Sequence, residues 1–173
     1  GRWAKKQGKV RTAGHYQGVE NVRNIAIAAN DLGVEVLTVF AFSTENWKRP
    51  QKEVKTIMRL FQTYLKDAEK EAMEYDIRLC FLGDKSAFPE DMRRKMEQLE
   101  SETRHHRLIL NVAINYGGRD DIVYAVNRLI AEGKTHVTEE DITSHLYTSH
   151  CPPPDLIVRT GAEMRLSNFL LWQ

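Results

Sequence analysis

Between Phe42 and Gln51 the chain sets Ser43, Thr44, Glu45, Asn46, Trp47, Lys48, Arg49 and Pro50 side by side. Two hydroxyls, a carboxylate, an amide, an indole and a guanidinium in one short stretch can bind an anion, orient a polar substrate or steer a proton. β-branched and aromatic residues run from Val34 to Phe42 and a helical pattern begins at Gln51, so this turn is expected at a strand's carboxyl end. Open α/β sheets hold their ligands there. The plain alternative is a loop that only caps the next helix.

Two further segments could meet an anion. Gly1 to His15 carries Arg2, Lys5, Lys6, Lys9 and Arg11 among glycines, with no carboxylate. Glycine lets backbone N–H groups approach an anion closely, and a helix expected to start near His15 would add its positive end. The alternative is a basic tail, solvated or touching nucleic acid or acidic lipid. From Asp155 to Asn168, a strand-like run at 155–160 would deliver Arg159, with Arg165 six residues on and Ser167 beside it. Two planar guanidinium forks and a hydroxyl make a diphosphate clamp, unless they serve as surface ion pairs.

Other motifs carry less. Asn115-Tyr116-Gly117-Gly118-Arg119 places two glycines between strand and helix, but Asp120 and Asp121 occupy the helix start where a phosphate would need positive charge. The acids are read as complementing the helix dipole. The adjacent His105 and His106 are read as surface residues. Cys80 lies in a strand-like run and Cys151 precedes three prolines, which suits two free thiols in a reducing compartment. Neither cysteine nor any serine sits in a nucleophile turn, so covalent catalysis is not expected.

The elements that must position these groups alternate. Helical spacing covers 15–32, then a strand at 34–42; Val54, Ile57, Met58, Phe61, Leu65, Ala68 and Ala72 stripe a long helix. That stripe reads as core, with the option of walling an apolar tunnel. Strands are predicted at 77–82, 107–115 and 155–160, and helices at 89–104, 119–132 and 138–148, the last opened by a capping box from Thr138 to Asp141. This pattern predicts an α/β fold with a largely parallel central sheet surrounded by helices. The 173 residues suit one domain spanning 1–173. A net charge of +1 advertises no nucleic-acid partner, and no apolar run reaches the length needed to cross a bilayer, so a soluble cytoplasmic protein is expected. The chain opens inside a basic segment and stops inside the apolar Phe169–Gln173, so the natural protein is expected to extend at both ends.

Taken in order, Gly1-Arg2-Trp3-Ala4, Arg11 with His15, Phe42 to Pro50, Asn115 to Arg119, Arg159-Thr160-Gly161 and Arg165 to Gln173 resemble the cis-prenyltransferase family, the bacterial undecaprenyl diphosphate synthases most of all. The resemblance runs end to end. It implies an undecaprenyl diphosphate synthase-like fold and a homodimer that uses Mg2+ to add isopentenyl diphosphate units to farnesyl diphosphate with cis geometry. By position, it implies that Gly1, Arg2, Trp3, Arg11 and His15 hold the allylic diphosphate. Ser43, Thr44, Glu45, Trp47 and Arg49 would line the loop between the substrates. Arg159, Arg165, Leu166 and Ser167 would bind isopentenyl diphosphate, and Asn46 would stand where the family places its proton acceptor. An asparagine amide is no useful base at neutral pH, so Asn46 is read as orienting the substrate while a diphosphate oxygen or water takes the proton. The stripe from Val54 to Ala72, with Val39 and Ala41, would wall the product tunnel. The metal's carboxylate ligands would lie outside this chain, which as it stands is expected to be a crippled enzyme. An undecaprenyl product, a lipid carrier for cell-wall synthesis, and peripheral membrane contact follow from the same resemblance. Two other readings are a non-catalytic partner subunit of this fold, which would not need the diphosphate clamps, and a polyanion-binding α/β protein, which would show salt-sensitive oligonucleotide binding.

Overall fold

A computed structural model describes residues 2–160 and 163–173, with the backbone alone at Arg2 and Arg11. The roles expected of Gly1 and of the Arg2 and Arg11 side chains therefore fall outside the described residues.

Short helix α1 (Arg2–Lys6) leads into α2 (Arg11–Asp31), then strand β1 (Val36–Ser43) and a 3-10 turn at Thr44–Lys48. Helix α3 (Gln51–Glu74), strand β2 (Ile77–Leu82), α4 (Glu90–Glu102), strand β3 (Leu108–Tyr116), α5 (Gly118–Ala131) and α6 (Glu139–Thr143) follow. The three strands form a parallel sheet in the order β1-β3-β2. Helices α3 and α4 are its crossovers, as parallel pairing requires.

Alternation along β3 fixes the layers. Leu108, Leu110, Val112 and Ile114 face a core shared with Ala26 and Ala29 of α2, the α3 stripe, and Met92, Met96 and Leu99 of α4. Met96 and Leu99 are fully buried, so truncating either to alanine should cost about 2–5 kcal/mol. Ala113 and Tyr116 face the other way, against Tyr147, Phe169 and Leu170. The outer edge of β2 is satisfied by α4 and the turn after it: the Leu79 N–H donates to Thr103 Oγ1 at 2.9 Å and the Phe81 N–H to Glu100 Oε1 at 2.8 Å. Side chains thus take the place of a further strand.

One irregularity aims the site. Leu37 and Val39 face the main core and Phe40 the opposite face, yet Phe42 returns to the main core because the register with β3 shifts between Phe40 and Phe42. Ala41 is the exposed extra residue of this bulge.

The expected strand at 155–160 is not in the sheet. Leu156 and Val158 are 78% and 74% exposed on an extended segment. β-propensity records a fit to a pleated, half-buried surface, and this run follows Pro152-Pro153-Pro154, which have no N–H to donate to a ladder. The helix expected over 138–148 starts at its Thr138 capping box but ends at Thr143. There Ser144 Oγ donates to the Asp141 carbonyl and the His145 ring reaches the same oxygen, closing the turn with side chains. Helix α2 begins at Arg11 rather than near His15, and Arg2–Lys6 is helical. The remaining predicted helices and strands stand within a few residues of their expected bounds.

Candidate active site

All three strands deliver their carboxyl ends to one edge, at Ser43, Leu82 and Tyr116. β1 runs directly into the 3-10 turn, which a reciprocal capping box holds: the Ser43 side chain accepts from the Asn46 backbone, and the Ser43 N–H donates to Asn46 Oδ1 at 3.3 Å. One lone pair of the Asn46 carbonyl oxygen, the accepting atom of its side chain, is thus engaged by the backbone.

Trp47 is fixed from three sides. Its indole N–H donates to Asn115 Oδ1 at 2.7 Å, and its ring meets Phe42 edge-on at 5.1 Å and Phe88 at 6.3 Å. Asn115, left-handed at φ 47°, in turn donates from Nδ2 to the Asp84 carbonyl at 2.9 Å. Both ends of that amide are used, so its orientation is set by the network. The link depends on Gly83, where β2's exit crosses β3: φ is +117° and an added Cβ would stand 2.3 Å from the Ile114 carbonyl oxygen.

Arg49 turns back on α3. Its Nη1 donates to Glu53 Oε1 at 3.0 Å, and His15 Nε2 lies 3.4 Å from the same oxygen. The second is a longer contact, and it becomes an ion pair when His15 is protonated. Burial lowers the His15 pKa below the ordinary imidazole value, with Glu53 acting in opposition. Glu53 therefore joins the amino-terminal helix to the Ser43–Arg49 turn. Reading the sequence missed it, although it sits four residues after Arg49 and in the first turn of a helix, where a carboxylate is favoured. Of the other amino-terminal residues, Trp3 is 44% exposed with Lys9 over its ring at 5.6 Å.

On the other side of the turn, Glu45 Oε1 accepts from Asn168 Nδ2 at 2.7 Å. Burial pushes the Glu45 pKa up, but its own backbone N–H, Asn168, Ser43 and Thr44 outweigh that and hold it below the usual carboxylate range. Next to Asn168, Ser167 Oγ accepts from Arg159 Nη1 at 2.9 Å, and Arg159 also donates to the Arg165 carbonyl. Arg159 and Ser167 are thus brought together without the predicted strand. Arg165 instead points to Glu163, 3.3 Å away, with a mostly exposed side chain, and Leu166 is exposed.

The two glycines of the following turn serve packing. An added Cβ at Gly117 would lie 2.6 Å from Asn168 Nδ2 and 2.8 Å from Thr44 Oγ1, and one at Gly118 would lie 2.9 Å from Leu171. Asp121 goes beyond complementing a helix dipole. It is fully buried, accepting from the Tyr116 hydroxyl at 2.9 Å, the Tyr147 N–H at 2.8 Å and Gln173 Nε2 at 3.1 Å, and burial raises its pKa.

This edge therefore gathers arginine, hydroxyl, amide and imidazole donors around one short turn, a set that matches phosphate oxygens. Its single turn carboxylate, Glu45, is already engaged, and among the described residues no three His, Cys, Asp or Glu side chains converge as a metal site. The residues present do not by themselves fit a magnesium cage. The α3 stripe faces packed core, and the cavity beside it, lined by Ala26, Tyr64, Ala68 and Leu79 among others, has about 20 Å³, room for about one water.

Comparison with known proteins adds to this geometry. The profile of the family described as "Putative undecaprenyl diphosphate synthase" matches residues 1–173. The chain is 49% identical to an isoprenyl transferase of Fusobacterium nucleatum subsp. nucleatum over 174 residues, covering all of this chain and 75% of that protein. It is 48% identical to an isoprenyl transferase of Chromobacterium violaceum, covering 69% of it. Among solved structures, lavandulyl diphosphate synthase from Lavandula x intermedia in complex with dimethylallyl diphosphate superposes with a TM-score of 0.92 at 35% identity, over 99% of this chain and 78% of that one. A probable undecaprenyl diphosphate synthase from Campylobacter jejuni superposes with a TM-score of 0.82 at 36% identity, over 90% and 75%.

Proposed function

The chain belongs to the undecaprenyl diphosphate synthase family of isoprenyl transferases, and from that membership we propose that it elongates farnesyl diphosphate with successive isopentenyl diphosphate units in cis geometry, to an undecaprenyl product. One observation carries the substrate assignment: the Ser43–Arg49 turn is flanked by two separate groups, His15 with Arg49 and Glu53 on one side and Arg159 with Ser167 on the other. Two diphosphates need two such groups. An allylic diphosphate as the first substrate is supported by the dimethylallyl diphosphate held by the lavandulyl diphosphate synthase neighbour.

In this reading His15 binds the allylic diphosphate beside Gly1, Arg2, Trp3 and Arg11. Arg159 and Ser167 bind isopentenyl diphosphate, joined by Arg165 and Leu166. The allylic C–O bond breaks and its electron pair leaves with the diphosphate. The terminal alkene carbon of isopentenyl diphosphate attacks the allylic carbon, positive charge passes to its tertiary carbon, and a proton is lost from C2, between that carbon and the CH2–O group, which forms the new double bond. Fixed cationic donors favour this path because negative charge grows on the departing group while they need no reorganisation. Asn46 orients the incoming diphosphate through its NH2, since its Oδ1 is held by the Ser43 N–H. The proton passes to a diphosphate oxygen or water.

The resemblance also brings a Mg2+ requirement, to which the described residues contribute no cage. A homodimer belongs to the same reading, as does action in the cytoplasm with peripheral contact at the inner face of the plasma membrane. Among the described residues no helix is long and apolar enough to cross a membrane.

Arg159→Ala and His15→Ala test the division of labour in the intact protein. Arg159→Ala should raise KM for isopentenyl diphosphate by about tenfold or more and leave that for farnesyl diphosphate near its starting value, and His15→Ala should do the converse. Equal effects on both constants would contradict the assignment of sides.

A further inference from the structure

The contacts of Asn168 reach two other parts of the chain. Its Nδ2 donates to Glu45 Oε1 at 2.7 Å, 123 positions away, while its Oδ1 accepts the Arg119 N–H at 2.9 Å and its backbone carbonyl accepts the Gly118 N–H at 2.7 Å. One residue thus ties the carboxyl-terminal segment both to the Ser43–Arg49 turn and to the start of α5. It does so from an unfavourable backbone: Ser167, Asn168 and Leu170 are left-handed, at φ 51°, 63° and 46°. Side chains rarely adopt that region, and a run of them persists only where surrounding contacts over-determine it. Gly117 shows how closely the parts are fitted. Its φ of −156° suits any residue, so glycine is needed there for space alone, because a methyl group would press on Asn168 Nδ2 and Thr44 Oγ1 together.

We propose that Asn168 is a positioning residue, a latch that holds the Arg159–Ser167 pair against the Ser43–Arg49 turn and so completes the isopentenyl diphosphate side of the site. The inference rests on the reading that this pair binds isopentenyl diphosphate. An amide is the side chain suited to the place, because it donates to a carboxylate with one end and accepts a backbone N–H with the other. Aspartate keeps the acceptor but loses the donor, and it sets two carboxylates against each other.

The test follows backbone amide exchange over 159–170 in the intact protein without substrate, together with steady-state kinetics. Asn168→Asp should speed exchange in this segment and raise KM for isopentenyl diphosphate about tenfold, the size of one charge-assisted hydrogen bond, with KM for farnesyl diphosphate unmoved. Gly117→Ala should do the same by pushing on the latch from the other side. In the double variant Glu45→Gln with Asn168→Asp, the amide and carboxylate exchange places, and protection of the segment should return. Unchanged exchange and KM in Asn168→Asp, or no recovery of protection in the double variant, would overturn the latch. Exchange that behaves as expected in a protein whose wild type does not consume isopentenyl diphosphate would uphold the latch and overturn the substrate reading.

Discussion

In the proposed function Asn46 holds a catalytic position and orients the substrate without being the base. Its carbonyl oxygen is taken by the Ser43 N–H, which leaves an NH2 donor and suits orientation of a diphosphate. Asn46→Asp should therefore lower kcat by about a hundredfold, without a new pH dependence in the carboxylate range. A variant that keeps or gains turnover with such an inflection would favour direct proton transfer. His15 gives a second expectation, on stability. Burial sets its folded pKa below 6.5, so as the pH falls through that value the unfolded chain takes up the proton first and stability declines. Urea midpoints should fall below pH 6.5 more steeply in the wild type than in His15→Gln, and equal slopes would contradict it. At this scale the turn from Ser43 to Arg49 was legible because strand, polar cluster and helix follow one another. The contacts of Asn115 and Asn168 were not, although both stand in segments that carry the resemblance, because their partners lie 68 and 123 positions away and no spacing links them.

Helices and strands were legible wherever burial is decided locally. The α3 stripe announces a buried face and the apolar run at 107–115 a buried strand, and both pack into one core. Pairing is not local, and the Leu156–Thr160 run has strand composition but lies outside the sheet. The bulge at Ala41 left no mark in composition either, yet it returns Phe42 to the main core, where its ring meets Trp47. Gly83 and Gly133 separate conformational need from space at the ends of elements. Both have positive φ, +117° and +82°, but an added Cβ meets backbone oxygen only at Gly83. Gly83→Ala should cost about 2–4 kcal/mol, strain and crowding together, and Gly133→Ala about 1 kcal/mol. Denaturant unfolding of both variants measures the difference, and equal losses would show that the crossing of β2 and β3 yields easily.

For the whole molecule, a parallel sheet with its polar turns at one edge brings together three distant parts of the sequence, which the proposed function reads as a two-substrate site. The amino-terminal helices reach it through His15 and Glu53, the middle supplies the Ser43–Arg49 turn, and the final segment brings Arg159 and Ser167. The order of these parts in the sequence was enough to place the chain in its family, but how they meet depends on glycines, a bulge and two asparagines. The most direct measurement incubates the intact protein with farnesyl diphosphate, labelled isopentenyl diphosphate and Mg2+, with an EDTA control, and sizes the extracted products by mass spectrometry. The expected result is a ladder rising by single isoprene units to an undecaprenyl product, abolished by EDTA. An intact, folded protein that binds both diphosphates yet forms no longer chain would contradict elongation as the reaction of this site.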